Sequence, residues 1–451
     1  SMKILIAGAG AVGFNLAKQL SGEGHTVSVV ESDPHIYRKV TEKLDVFCVE
    51  GSGNSPRALE DAGIKEVDMV LAVTDSDEVN LTVCLFAYWY GVKSKIARIR
   101  NEEFTKEGSI LQKNQFFIDR MINPIPITVD SIVKAMETPG ATYVADFAES
   151  DILFRGFRVP PDAPIVGKRI EDLREAGATD SFLIVAIQRK EEIMIPSGEV
   201  TICPEDNILV LLARVSLPYF LPMVNRRAVE TQGFVIYGAT RIGIQLARTL
   251  EKTADNVVLI EPDEDKAQTA ASKLSNTTVL HGQATETEIL KQATLEPVDF
   301  FIGASENEQD NILACLLAKK RYAKKAVVIT HEPDYVPVFG SIGIDVVINP
   351  RLITVSSILH HISRGPIVGL AKLFDETEAE ATEMIAEGNS TIVGKKLRDV
   401  SFPKGSILGS IIKNGSMILP DGECVLDAGD RAIVFYMPEA RERVHALFTK
   451  K

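Results

Sequence analysis

Two doubly wound α/β domains built on parallel sheets, alternating with two small α+β domains, are the fold that this 451-residue sequence predicts. Three observations predict it. An apolar strand runs straight into a glycine-rich turn and then a helix. Strand-like and helix-like segments go on alternating, which calls for a parallel sheet with helices on both faces. The whole arrangement then occurs a second time.

The first strand and turn read Lys3-Ile-Leu-Ile-Ala-Gly8-Ala-Gly10-Ala-Val-Gly13. Phe14, Leu16, Ala17 and Leu20 follow on one side of a 3.6-residue period, so a helix starts at the turn. Each glycine has a physical reason. Gly8 permits the tight turn, Gly10 leaves room for a pyrophosphate against the backbone, and Gly13 lets the helix pack close to the strand. Phosphate groups would sit on free N–H groups at the helix N-terminus, where the macrodipole favours anions. A second strand at 27–31 ends on an acid, Glu31, eighteen residues after Gly13. A carboxylate at that distance meets the ribose hydroxyls of an adenine nucleotide.

Further strands are predicted near 46–49, 68–73, 96–99 and 116–119, with helical patterns between them. Met69-Val-Leu-Ala-Val73 is continuously apolar, as a doubly covered strand must be. The helix after Asn80 places Leu81, Cys84, Leu85 and Tyr88 on one stripe, so Cys84 reads as a small core residue. From about 141 to 225 the strands shorten, and Pro160-Pro-Asp, Pro196-Ser-Gly and Pro204-Glu-Asp mark turns. That texture predicts a small antiparallel α+β module.

The repeat follows. Gly238 stands 230 positions after Gly8 and Glu261-Pro-Asp263 stands 230 after Glu31-Ser-Asp33. Ser305 to Asn311 follows Thr74 to Asn80 by 231, as Cys315 follows Cys84. Ile392-Val-Gly394-Lys and Pro420-Asp-Gly422 echo Ile165-Val-Gly167-Lys and Pro196-Ser-Gly198 in the small module. The predicted domains are 2–136 and 231–365 of the larger type, with 141–225 and 370–451 of the smaller. Linkers fall near 136–141, 221–231 and 365–370. Asn123-Pro124 and Asn349-Pro350 open matching helices, an Asn cap before a proline at the first helical position. Those helices are read as exchanging between subunits, as hinges, or as ordinary terminal helices.

Composition sets limits. A net charge of −13 argues against nucleic acid and against anionic lipid bound through bulk charge. It leaves docking on a membrane protein open, since that needs only local complementarity. The cysteines at 48, 84, 203, 315 and 424 form no C-x-x-C, a reduced, cytosolic pattern. The seven histidines show no zinc-like spacing, and His360 and His361 are read as structural or exposed. No apolar run approaches a membrane span. The chain opens on a core strand rather than a signal peptide, and Ser1-Met2 reads as an expression remnant.

The sequence resembles the regulator-of-potassium-conductance family, and within it the peripheral subunits of bacterial Trk potassium-uptake systems. The resemblance covers essentially the whole chain. It rests on Gly8–Gly13 with Glu31, on Gly51-Ser-Gly-Asn54, on Ala72-Val-Thr-Asp75, on Asn123-Pro124 and on the doubled pair of domain types. It implies that the larger domains bind NAD(H), ATP or ADP and that the small ones sense a ligand or dimerise. It also implies a homotetramer whose eight nucleotide-type domains form a ring on the cytoplasmic face of a TrkH-type transmembrane potassium transporter.

In the first half Gly8, Ala9, Gly10, Ala11, Val12 and Gly13 are the expected phosphate loop, and Glu31 favours NAD over NADP by repelling a 2′-phosphate. Gly51 and Ser52 flank the adenine position, and Thr74 and Asp75 stand at the mouth of the sheet. Arg98 and Arg100 meet phosphate or a neighbouring subunit, or form a solvated strand end. In the second half Gly238, Arg241, Ile242, Gly243, Glu261, Gly282, Ser305 and Glu306 are the candidate contacts. There Thr240 replaces the middle glycine and crowds a pyrophosphate, while Arg241 can clamp a further phosphate. The second half is therefore expected to take ATP or ADP, or to bind weakly.

Rival readings are a dehydrogenase and a sensor on another potassium channel or antiporter. The first needs an acid–base group at the nicotinamide, usually His, Lys or Tyr. Neither strand end offers a His or Lys common to both halves, so no catalytic residue and no metal ligand is predicted.

Overall fold

The computed structural model describes residues 2–22, 24–105, 117–138, 141–146, 152–175, 182–190, 192–225, 233–332, 335, 338–339, 342–362, 380–413 and 416–449. The chain forms two compact units. One joins residues 1–130 with 232–362, the two nucleotide-type halves. The other joins 131–231 with 363–451, the two small modules. The predicted linker at 365–370 lies outside the described residues.

In the first half the strands are β1 (Lys3–Ala7), β2 (Thr26–Glu31), β3 (Phe47–Glu50), β4 (Met69–Ala72), β5 (Ser94–Arg98) and β6 (Arg120–Ile122). All neighbours run parallel in the order β3-β2-β1-β4-β5-β6. This is the doubly wound order, and the chain reverses direction across the sheet between β1 and β4. Ile4, Leu5, Ile6 and Ala7 are all fully buried, because helices cover both faces. Those helices are α1 (Ala11–Gly22), α2 (Pro34–Lys43), α3 (Pro56–Asp61), α4 (Asp77–Trp89) and α5 (Pro124–Glu137). Side chains begin several of them: Asp33 accepts from the N–H groups of His35 and Ile36, and Ser76 accepts from that of Val79.

The second half repeats this plan. Strands β12 (Gly233–Tyr237), β13 (Asn256–Glu261), β14 (Thr277–His281), β15 (Val298–Gly303), β16 (Ala323–Ile329) and β17 (Val346–Ile348) form the order β14-β13-β12-β15-β16-β17. The intervening β7 to β11 belong to the other unit and are given below. The helices are α7 (Arg241–Leu250), α8 (Glu264–Lys273), α9 (Thr287–Ala293), α10 (Glu308–Arg321) and α11 (Pro350–Ile362), with α6 in the small modules.

Two expectations are corrected and a third is narrowed. The sixth strand is Arg120–Ile122, not 116–119. The Asp119 carboxylate accepts the Lys95 N–H at 2.7 Å and sets the pairing one step later, while Phe117 takes a positive φ of 55° and stacks on Tyr88. Leu81 and Cys84 are buried on α4 as expected, together with Asn80, Val83 and Ala87; Leu85 is only half-buried and Tyr88 is exposed. Finally, the readings of α11 as exchanging, hinge or terminal helix are narrowed by its neighbours. The helix packs on α1 and β6 of the first half. The Asn caps are present: Asn123 Oδ1 accepts from Ile125, and Asn349 Oδ1 accepts from Arg351 and Leu352.

The small modules are antiparallel, as their turns predict. Strands β7 (Ala141–Asp146), β8 (Ile152–Arg158), β9 (Phe182–Arg189), β10 (Glu192–Met194) and β11 (Asn207–Ala213) form the order β10-β9-β11-β8-β7, with α6 (Ile170–Glu175) beside them. The second module has β18 (Glu380–Ile385), β19 (Ser406–Lys413), β20 (Ser416–Ile418) and β21 (Arg431–Tyr436) in the order β18-β21-β19-β20, and ends on α12 (Arg441–Phe448). Val185 and Leu211 share a core with Ile433 and Phe435, so the two small sheets are packed together.

Cys84 and Cys315 lie fully inside the two parallel-sheet cores, and burial pushes each thiol up to about 12. Thiolate is the reactive form, so neither should react in the folded chain. Native alkylation followed by intact mass should show at most three adducts per chain, and denatured alkylation five.

Candidate functional site

Both glycine turns are built the same way. Gly8 has φ +95° and Gly238 has φ +112°, a region that a Cβ disfavours. The Gly8 N–H donates to the Val30 carbonyl at 2.9 Å, and Gly238 donates to Ile260 at 2.8 Å, tying each turn to the next strand. A Cβ on Gly13 would stand 1.9 Å from the Gly8 carbonyl oxygen, and one on Gly243 would stand 2.0 Å from that of Gly238. These two glycines are required by packing. Gly10 is different: a Cβ there would meet nothing within 4 Å. It opens the first turn of α1, whose leading N–H groups have no partner inside the helix. In the loop of Gly8, Ala9, Gly10, Ala11, Val12 and Gly13 the first two N–H groups are used internally, and the later ones face the switch point of the sheet as the open donors of the first turn of α1.

Glu31 is buried and uses its carboxylate on the loop itself. Oε2 accepts the Ala9 N–H at 2.6 Å and Oε1 accepts the Asp33 N–H at 2.8 Å. Glu261 does the same with Ala239 at 2.6 Å and Asp263 at 3.0 Å. Each oxygen keeps a second acceptor position for a hydroxyl. The sequence reading missed this internal role. Gly51 hydrogen-bonds the Glu31 carbonyl at 2.8 Å, which brings the loop after β3 beside the acid, and the Ser52 hydroxyl donates to Asn54 Oδ1. Gly282 matches Gly51 in bonding the Glu261 carbonyl.

The strand ends carry a second repeated device, which the spacing Thr74 to Asn80 and Ser305 to Asn311 hinted at only as a repeat. Asn80 is completely buried. Its Oδ1 accepts the Thr74 N–H at 2.9 Å and hydroxyl at 2.7 Å, and its Nδ2 donates to the carbonyls of Thr74 and Arg98. Asn311 holds Ser305 in the same way. Asp75 and Glu306, the next residues, are thereby fixed at the mouths of the two sheets.

Arg98 is not a solvated strand end, whereas the Arg100 side chain is partly exposed. The Arg98 side chain is only 13% exposed and donates to Asp75 Oδ1 at 3.0 Å, and Arg100 donates to the Asp75 carbonyl. Desolvation holds the Arg98 guanidinium below its ordinary value. Both arginines line a cavity of about 580 Å³ with Thr240, Arg241, Ile242, Ser305 and Glu306 of the second half. His331 and Arg351 complete its far wall.

The second loop differs in one detail that sequence alone left ambiguous. Thr240 is unstrained, at φ −70° and ψ 169°, and caps α7. Its Oγ1 accepts the Gly243 N–H at 3.1 Å and donates to the Ala304 carbonyl at 2.8 Å. A backbone donor that the first loop leaves open at Gly13 is therefore already used in the second. Glu306 pairs with Lys266 at 3.2 Å.

The TrkA-N domain matches residues 4–124 and 234–350, and the TrkA-C domain matches 154–221 and 382–449. The chain is 32% identical to the Trk system potassium uptake protein TrkA of Azorhizobium caulinodans, across 99% of this chain and 98% of that one. It is 32% identical to the Trk system potassium uptake protein TrkA homolog 2 of Methanosarcina mazei, across 99% and 100%. Among solved structures, the GsuK RCK domain is similar with a TM-score of 0.58 at 17% identity, covering 99% of this chain and 95% of that one. The GsuK channel bound to NAD gives 0.59 at 17% identity, with coverage of 99% and 79%. At such identity these structures show a shared fold. The relatives named here are potassium-uptake proteins and an RCK-bearing channel, not enzymes. No described helix is long and apolar enough to cross a membrane. With each module matched twice and its relatives aligned from end to end, the chain belongs to the TrkA family of Trk potassium-uptake proteins.

Proposed function

We propose that this chain is a nucleotide-sensing regulatory subunit that gates a TrkH-type membrane potassium transporter from its cytoplasmic face. The first loop binds NAD(H). The second takes the phosphates of ATP or ADP. Four domains, 2–136, 141–225, 231–365 and 370–451, form each subunit, and four subunits form a ring. The observation that supports this reading most is Gly10. It is the one loop glycine that packing does not require, and it lies where a pyrophosphate meets α1. Potassium uptake supports the transporter link through the family to which the chain belongs.

The mechanism is linkage. A nucleotide that prefers one arrangement of the ring shifts the equilibrium only by its difference in affinity, typically about 1–3 kcal/mol per site. Several sites in one ring add their biases. Potassium flux into vesicles holding a TrkH-type transporter tests this directly. Flux should change by about fivefold or more when the chain is present and NADH is exchanged for ATP. Equal flux with and without the chain, at every nucleotide, would contradict it. Sustained NADH oxidation by the chain alone would favour the dehydrogenase reading instead.

A further inference from the structure

The two small modules enclose a cavity of about 570 Å³ to which neither nucleotide-type half contributes a wall. Its lining pairs up across the repeat. Ile170 and Glu171 of the first module match Leu397 and Arg398 of the second, 227 positions later, and all four line the cavity. Leu183 and Ile184 on β9 match Ile407 and Leu408 on β19, 224 positions later, and supply an apolar floor. The turns Pro196-Ser-Gly198 and Pro420-Asp-Gly422 line it at matching places.

The two ends of the cavity share one backbone. The Glu171 N–H donates to the Gly198 carbonyl at 2.9 Å, and the Arg398 N–H donates to the Gly422 carbonyl at 3.1 Å. A Cβ on Gly198 would stand 3.2 Å from the Glu171 Cβ, and one on Gly422 would stand 3.3 Å from the Arg398 Cβ. Each glycine therefore seats the stem of the charged side chain beside it. Only the charge is inverted, with a carboxylate at one end and a guanidinium at the other.

Neither charge is used up by its neighbours. Glu171 Oε1 pairs with Arg169 at 2.7 Å, while Oε2 lies over Gly198. Arg398 pairs with Glu423 through Nη1, and a guanidinium has further donors on Nε and Nη2. Both pairs are half-exposed, where such pairs contribute little. The Asp421 carboxylate turns to its own loop, where Oδ1 accepts the N–H groups of Glu423 and Cys424.

We propose that this cavity is a binding site for a bipolar amphipath of roughly tripeptide size. Its ammonium end lies at Glu171, its carboxylate end at Arg398, and its apolar body on the floor made by β9 and β19. A short apolar peptide with free ends has this form. A ligand with two like-charged ends does not, since one of them would meet a like charge. Both modules hold the occupant, so it bridges them. The site is independent of what either glycine turn binds.

Calorimetric titration of the full chain with four forms of trileucine tests it. The forms have free ends, an acetylated amine, an amidated carboxylate, or both ends blocked. The free peptide should bind once per chain. Acetylation or amidation should each weaken it about tenfold, and blocking both ends about 100-fold. Glu171→Gln should remove the penalty of acetylation and keep that of amidation, and Arg398→Gln should do the reverse. Both side chains are exposed, so the melting temperature should stay unchanged. The proposal is overturned if the free peptide does not bind at millimolar concentration, or if the doubly blocked form binds as tightly. A penalty of acetylation that survives Glu171→Gln overturns it equally.

Discussion

Asn80→Ala should lower the unfolding free energy of the first half by about 3 kcal/mol and loosen the mouth of its sheet. The side chain is fully buried and makes four hydrogen bonds, two from Thr74 and two to backbone carbonyls. Truncation removes the Asn80 partner from the Thr74 N–H and from the carbonyls of Thr74 and Arg98, and leaves the Thr74 carbonyl a long 3.5 Å bond from Arg98 Nη1. Each such group costs about 1–3 kcal/mol, partly offset by relaxation and water entry. The loss should be larger than for a surface asparagine by several-fold. Chemical denaturation gives the stability change, and hydrogen exchange at Thr74 to Asp77 localises it. Asn311→Ala should act on the second half in the same way, through Ser305.

The second large effect separates two glycines three residues apart. Gly13→Ala forces a Cβ to within 1.9 Å of the Gly8 carbonyl oxygen, which backbone must yield. Overpacking of that kind costs about 3 kcal/mol or more, and it moves the turn that positions the loop. Nucleotide affinity and stability should fall together. Gly10→Ala meets nothing within 4 Å and should leave stability within about 0.5 kcal/mol of the unsubstituted chain. Denaturation curves of the two variants side by side make the comparison, and equal stability losses would refute the assignment of Gly13 to packing and Gly10 to the ligand.

Much of this architecture was legible because its causes are local. Apolar runs that cannot alternate must be covered on both faces, and Met69 to Ala72 is one. A glycine at positive φ between a strand and a helix announces itself, as Gly8 and Gly238 do. The repeat fixed the symmetry of the two six-stranded sheets without any contact being known. The misplaced features depend on contacts distant in sequence. The sixth strand starts at Arg120 because Asp119 reaches Lys95 on a neighbouring strand, which no window around 116–119 contains. The face of α4 was misjudged in part because the polar Asn80 is fully buried on it, against every hydropathy scale. Thr240, whose Cβ was read as crowding a pyrophosphate, also caps its helix through a hydroxyl bond to Gly243 that the sequence did not show. The arginine-lined cavity was invisible for the same reason. Arg98 and Arg241 are 143 positions apart in sequence and line one wall-to-wall space only when the two halves are folded. The reading of Arg98 as a solvated strand end failed because its side chain is mostly buried and reaches the Thr74 carbonyl and the exposed Asp75 carboxylate, 24 and 23 positions away in sequence.

The account turns on backbone donors at the first loop holding a nucleotide. NADH titration of Gly10→Asp measures this most directly. The new carboxylate has room to fold, but it would stand against the pyrophosphate, and like charges so close cost several kcal/mol. NADH affinity should fall by about 100-fold with an unchanged melting temperature, and potassium flux should lose its dependence on NADH. Undiminished NADH affinity in a folded Gly10→Asp chain would contradict the account at its centre.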